Sequence, residues 1–86
     1  MALTVNVVSA DQQVWSGEAT TVIARTTEGE IGILPGHEPL LAILAGGEVR
    51  ITQTGGRRFT ANAEEGFISV QNDTVTVVAR AAELVS

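Results

Sequence analysis

Apolar residues recur at every second position along most of this chain, and that period decides the class of fold open to it. Leu3, Val5 and Val7 alternate with Thr4 and Asn6, and Val49 and Ile51 with Arg50 and Thr52. Phe59, Ala61 and Ala63 alternate with Arg58, Thr60 and Asn62, and Val75, Val77 and Ala79 with Thr74, Thr76 and Val78. Successive side chains of a strand point to opposite faces, so this pattern lays one face on a core and turns the other to water. Valine, isoleucine and threonine suit such a surface. Gly55-Gly56 and Asn72-Asp73 read as tight hairpins between alternating runs. Ser16-Gly17 and Glu28-Gly29 punctuate the first half, and Gly46-Gly47 closes the run around Leu40 to Ala45. Strands are expected near residues 3–9, 20–27, 30–34, 40–44, 48–54, 57–63, 66–71 and 74–80. The segment from Pro39 to Ala45 could open a helix with proline in its first turn. Its shortness and the glycines that stop it favour a buried strand. Ala81 to Ser86 carry little periodicity. The expected class is all-β, a two-sheet β-sandwich or flattened barrel.

Size and composition narrow the functions. The chain has 86 residues, enough for one domain, expected over 1–86. Cysteine is absent, which removes disulfides and thiolate metal sites. Net charge is −5, all five cations are arginines, and there is no tyrosine. This balance argues against nucleic acid as a partner, since phosphate contacts need clustered cations and single strands need stacking rings. The apolar runs fall far short of the roughly 20 residues that span a bilayer. No basic segment leads into an apolar one at the N-terminus, so no signal peptide is read there. A cytosolic or organelle-interior protein without direct membrane insertion is expected.

Catalytic constellations are missing. His37 is the only histidine, no serine sits in a G-x-S-x-G elbow, and one histidine cannot make a zinc site. Glu28 with Glu30 and Glu64 with Glu65 are only pairs, too few for a calcium or magnesium site. Gly29, Gly32 and Gly36 surround no G-K-[ST], so no phosphate-cradling loop forms. A biotin- or lipoate-carrying hairpin needs a lysine, and the chain has none. No catalytic residue, metal, cofactor or bound nucleotide is expected.

Residues 28–41 stand apart. They read Glu-Gly-Glu-Ile-Gly-Ile-Leu-Pro-Gly-His-Glu-Pro-Leu-Leu, apolar strand residues broken by three glycines and two prolines. A proline-glycine pair fits a turn whose glycine takes positive φ, with His37 projecting from it. Such a segment is either a rigid hairpin with a polar tip or a preformed loop presented to a partner, rigidity reducing the entropy lost on binding.

This stretch resembles the signature of the epsilon subunit of F-type ATP synthases, called delta in mitochondria. Val7-Val8-Ser9-Ala10-Asp11 with Val14-Trp15-Ser16-Gly17-Glu18-Ala19 is similar to that family's opening, and Glu65-Gly66-Phe67-Ile68-Ser69-Val70 with Val75-Thr76-Val77-Val78-Ala79 to its closing strands. The resemblance implies a sandwich of two five-stranded sheets, about ten short strands in all. It implies a rotor subunit of the central stalk, in the F1 sector, that docks on the gamma subunit and the c-ring. Such a subunit helps couple proton translocation to ATP synthesis without chemistry of its own. Its place would be peripheral, at the cytoplasmic face of a bacterial plasma membrane or inside an organelle. Residue by residue, Glu28, Gly29 and Glu30 match the loop facing the c-ring. His37 matches a histidine near gamma, with Glu38 and Leu41 beside it. The two-helix hairpin that usually follows this domain is expected to be absent, and with it hairpin-type inhibition. The competing expectation is a stand-alone ligand- or protein-binding sandwich unrelated to ATP synthase, which would need a concave pocket with convergent polar groups.

Overall fold

The computed structural model describes residues 2–10 and 12–85; Asp11 of the expected first turn and Ser86 of the tail lie outside them. Eight strands follow one another: β1 (Leu3–Val8), β2 (Gln13–Thr26), β3 (Gly29–Ile33), β4 (Leu40–Gln53), β5 (Arg58–Glu64), β6 (Phe67–Gln71), β7 (Thr74–Val78) and β8 (Ala81–Val85). No helix occurs among the described residues, so the segment after Pro39 is a strand, as the glycine stop suggested.

The eight strands act as ten segments, because β2 and β4 each run through both sheets. The first half of β2 pairs with β1, and the first half of β4 with β6. One sheet is therefore β2–β1–β7–β6–β4, with β1 and β7 parallel. The second halves of β2 and β4 pair with each other, and the other sheet is β3–β2–β4–β5–β8. Two strands shared between two sheets close them into a flattened barrel, which leaves few free edges.

The alternating residues line the inside. Leu3, Val5, Val7, Val49, Ile51, Ala61, Ala63, Ile68, Val75 and Val77 are buried, joined by Ala19, Val22, Ala24 and Ile33. Each fully buried valine, leucine or isoleucine contributes about 1.5–3 kcal/mol. Phe59 is only partly buried and packs against the core from its margin. Its ring meets that of Trp15 edge-on, centroids 4.8 Å apart, and so links β5 of one sheet to β2 of the other.

Three expectations about strand limits are corrected. β2 begins at Gln13, not near residue 20, and Ser16-Gly17 does not break it. The Trp15 ring lies over Gly17, so close that a Cβ there would sit 2.6 Å from it; the glycine makes room for the ring. Gly46-Gly47 does not end a strand either. β4 continues through it, and the step from Ala24 to Thr26 on β2 faces the five-residue step from Val49 back to Leu44. Gly47, at φ 76°, lies in this bulge, which turns β4 from one sheet into the other. Finally, Ala81–Val85 is a strand. Ala82 and Leu84 pair with the inward Ala63 and Ala61, but small and apolar residues on both faces of β8 hide its alternation.

Candidate docking site

Thr27 and Glu28 form the two-residue hairpin turn between β2 and β3, and Gly29 and Glu30 open β3; Glu28, Gly29 and Glu30 are all exposed. The turn is held from inside. The Thr26 hydroxyl, buried at the end of β2, donates to Gly29 O at 2.7 Å and accepts from Glu28 N at 3.2 Å. A buried hydroxyl so satisfied fixes the local backbone. Thr27 N donates to Ile43 O at 3.0 Å, tying the tip to β4. Glu30 faces Arg25 across the β2–β3 ladder.

The Pro35-Gly36 turn lies at the other end of β3. His37 N donates to Leu34 O at 3.1 Å, and Gly36 has φ 87°, the value a type II turn requires of its third residue. His37 is half-buried, and its Nδ1 donates to Glu38 O at 2.7 Å, which leaves Nε2 for a partner. Glu38 is exposed. β4 then runs back toward the Glu28 tip, turning Leu41 and Ile43 outward.

The six residues named from the sequence thus fall into two groups: Glu28, Gly29 and Glu30 at one end of β3, His37 and Glu38 at the other, with Leu41 between them on β4. Five strand residues separate the ends by roughly 15 Å. The structure also adds residues. Ile43 pairs with Phe67, Phe67 with Val78, and Val78 with Val8, forming an apolar row across the outside of the first sheet. Leu41, Ile43 and Phe67 remain 71, 64 and 41% exposed. A signal for the row existed: Leu40 to Leu44 is apolar on both faces, which a strand with only one inner face does not need. Leu44 donates its N–H to Gly66 O and pairs with Thr26, which brings Glu64 and Glu65 to the Glu28 end. Arg80 pairs with Glu65 at 2.7 Å.

No group of three histidines, cysteines or carboxylates lies together among the described residues. The grooves are superficial; one of about 350 Å³ lies between Trp15, Gln53, Arg57, Phe59 and Leu84.

Fold and surface together define an all-β sandwich that offers fixed loops and an apolar outer row to other proteins, with its interior filled by side chains. The sequence matches the ATP synthase, Delta/Epsilon chain, beta-sandwich domain over residues 2–85, and the chain belongs to that family. It is 52% identical over 85 residues to the ATP synthase epsilon chain of Frankia casuarinae, covering 98% of this chain and 99% of that one. It is 51% identical over 83 residues to that of Rhodococcus erythropolis, covering 95% of this chain and 68% of the relative. Among solved structures it is similar to a chain of the Euglena gracilis mitochondrial ATP synthase, in an assembly described as OSCP/F1/c-ring, with TM-score 0.89 and 25% identity. That match covers 96% of this chain and 53% of the other.

Proposed function

We propose that this chain is a rotor subunit of an F-type ATP synthase that joins the gamma subunit to the c-ring and helps couple proton flow to ATP synthesis. The observation that carries this reading is the separation of two fixed contact groups by one rigid strand. A module that bridges two partners needs such spacing, and its loops must hold their shape under torque. The Glu28 end, with Glu30 and Glu64, is suited to basic polar loops of a c-ring. The His37 turn, Glu38, Leu41 and the apolar row suit the gamma subunit, where a few buried apolar residues supply most of the binding energy. The chain makes and breaks no bonds and takes no cofactor or nucleotide. Its place is the F1 sector, peripheral to the membrane, at the cytoplasmic face if bacterial. Among the described residues no helix is long and apolar enough to cross a bilayer.

The test is reconstitution with gamma and the c-ring. Glu30→Arg should lower the thermal midpoint of the isolated chain by only a few degrees, because the site is exposed but the new arginine faces Arg25 across the ladder, a like-charge pair that costs about 1 kcal/mol or less. It should lower affinity for a gamma–c-ring complex about three- to tenfold at low salt, the difference shrinking as salt screens exposed charge. Equal affinity at low salt would remove Glu30 from the interface.

A further inference from the structure

We propose that Asp73 is a positioning residue for the His37 turn: from the β6–β7 hairpin, it selects the turn type at Pro35-Gly36 and thereby the direction in which His37 is presented. The inference rests on the docking reading above and adds to it a residue outside the six named there.

Asn72 and Asp73 form the two-residue hairpin turn between β6 and β7, with φ 50° and 59°. Both angles are left-handed, as a tight hairpin of this kind requires, and Asn and Asp tolerate them better than other side-chain-bearing residues. The hairpin is anchored on a second side, because Thr4 N donates to Asp73 O at 2.8 Å. The Asp73 carboxylate therefore starts from a fixed backbone. Its Oδ1 accepts from Gly36 N at 2.7 Å, across 37 positions of sequence.

The identity of that donor matters. Type I and type II turns differ by a flip of the peptide between their two central residues. In Leu34-Pro35-Gly36-His37 this is the Pro35–Gly36 peptide, and its N–H is the one Asp73 holds. The closing bond from His37 N to Leu34 O is available to either turn type, so it cannot choose between them. An acceptor held on the flipping unit can, because the other turn type would point the Gly36 N–H away from it. Gly36 then stays near φ 87°, and the chain leaves the turn toward His37 in one direction.

Two substitutions separate the carboxylate from the backbone. Asp73→Gly keeps the left-handed conformation and removes the acceptor. Asp73→Asn keeps both the conformation and a carbonyl acceptor. In the full chain, Asp73→Gly should speed hydrogen exchange at the Gly36 amide and weaken gamma-subunit binding, each about five- to tenfold. Asp73→Asn should restore both to within about twofold of the parent. The proposal is overturned if the Gly36 amide of Asp73→Gly is as protected as before, or if that amide is freed and gamma binding does not change. His37→Ala distinguishes this from failure of the docking reading. It should weaken gamma binding with Gly36 protection intact. Unchanged affinity in His37→Ala would sink the docking role of the turn, while Gly36 exchange in Asp73→Gly would still decide what holds it.

Discussion

Placing a carboxylate at Ile43 (Ile43→Asp) is expected to weaken association with the gamma subunit by at least about thirtyfold, while the isolated chain stays folded. Ile43 is 64% exposed, so the substitution removes little from the core. Its position explains the size of the effect. It lies at the head of the row that continues through Phe67, Val78 and Val8, on β4, which runs from the His37 turn back toward the Glu28 tip. If gamma covers this row, the new charge is desolvated without a partner. Anchors of this type cost about 2 kcal/mol or more, and each ~1.4 kcal/mol is tenfold in affinity. Thr60→Asp, on the outer face of the second sheet opposite Arg50, is the control and should bind normally. Titration of both variants against gamma, with thermal melts of each, decides the matter. Normal binding by Ile43→Asp would mean that the row faces water in the assembled rotor.

The largest expected effect on stability comes from a single methyl group. A Cβ on Gly66 would overlap Val78 O and lie 2.6 Å from Ala79 Cα, both backbone atoms that no rotamer change can move aside. The segment around it is pinned as well: Leu44 N donates to Gly66 O at 2.9 Å and Arg80 N to Glu64 O at 3.0 Å. Relieving the overlap must strain or break these bonds. Overpacking of this kind costs about 1–3 kcal/mol, and a lost hydrogen bond about 1 more. Gly66→Ala should therefore lose about 3 kcal/mol, a large share of the stability of a small domain. For a chain of this size that lowers the melting midpoint by roughly 15 °C. Gly32→Ala is the counterpart. No atom lies within 4 Å of the added methyl there, and the midpoint should move by no more than a few degrees. A Gly66→Ala variant that melts with the parent would show that the β7–β8 connection can shift freely.

Much of this was legible from residue order. Period two, read locally, identified the inward faces of β1, β5 and β7, because burial on one side of a strand leaves its mark at every second residue. Asn72-Asp73 and Pro35-Gly36 were legible as turns, since their backbone angles restrict the residues that can stand there. The motif around Glu30 and His37 named the candidate contact residues and the family. The sharing of β2 and β4 between two sheets was not legible. Gly17 and Gly47 look alike as strand breakers, yet one makes room for the Trp15 ring and the other forms a bulge in β4. That distinction depends on what approaches from another strand. β8 escaped notice because its small and apolar residues show alternation only once Ala61 and Ala63 lie beside them.

Sequence alone therefore determined the fold class, the inward residues and the chemistry offered at the loops, because each depends on neighbours along the chain. Tertiary structure alone decided three things: that β2 and β4 each run through both sheets, that Ile43 and Phe67 form one exposed row, and that Asp73 reaches Gly36. Each depends on pairings between residues far apart in sequence. Strand register and the closing of the barrel set those pairings, and no local pattern encodes them.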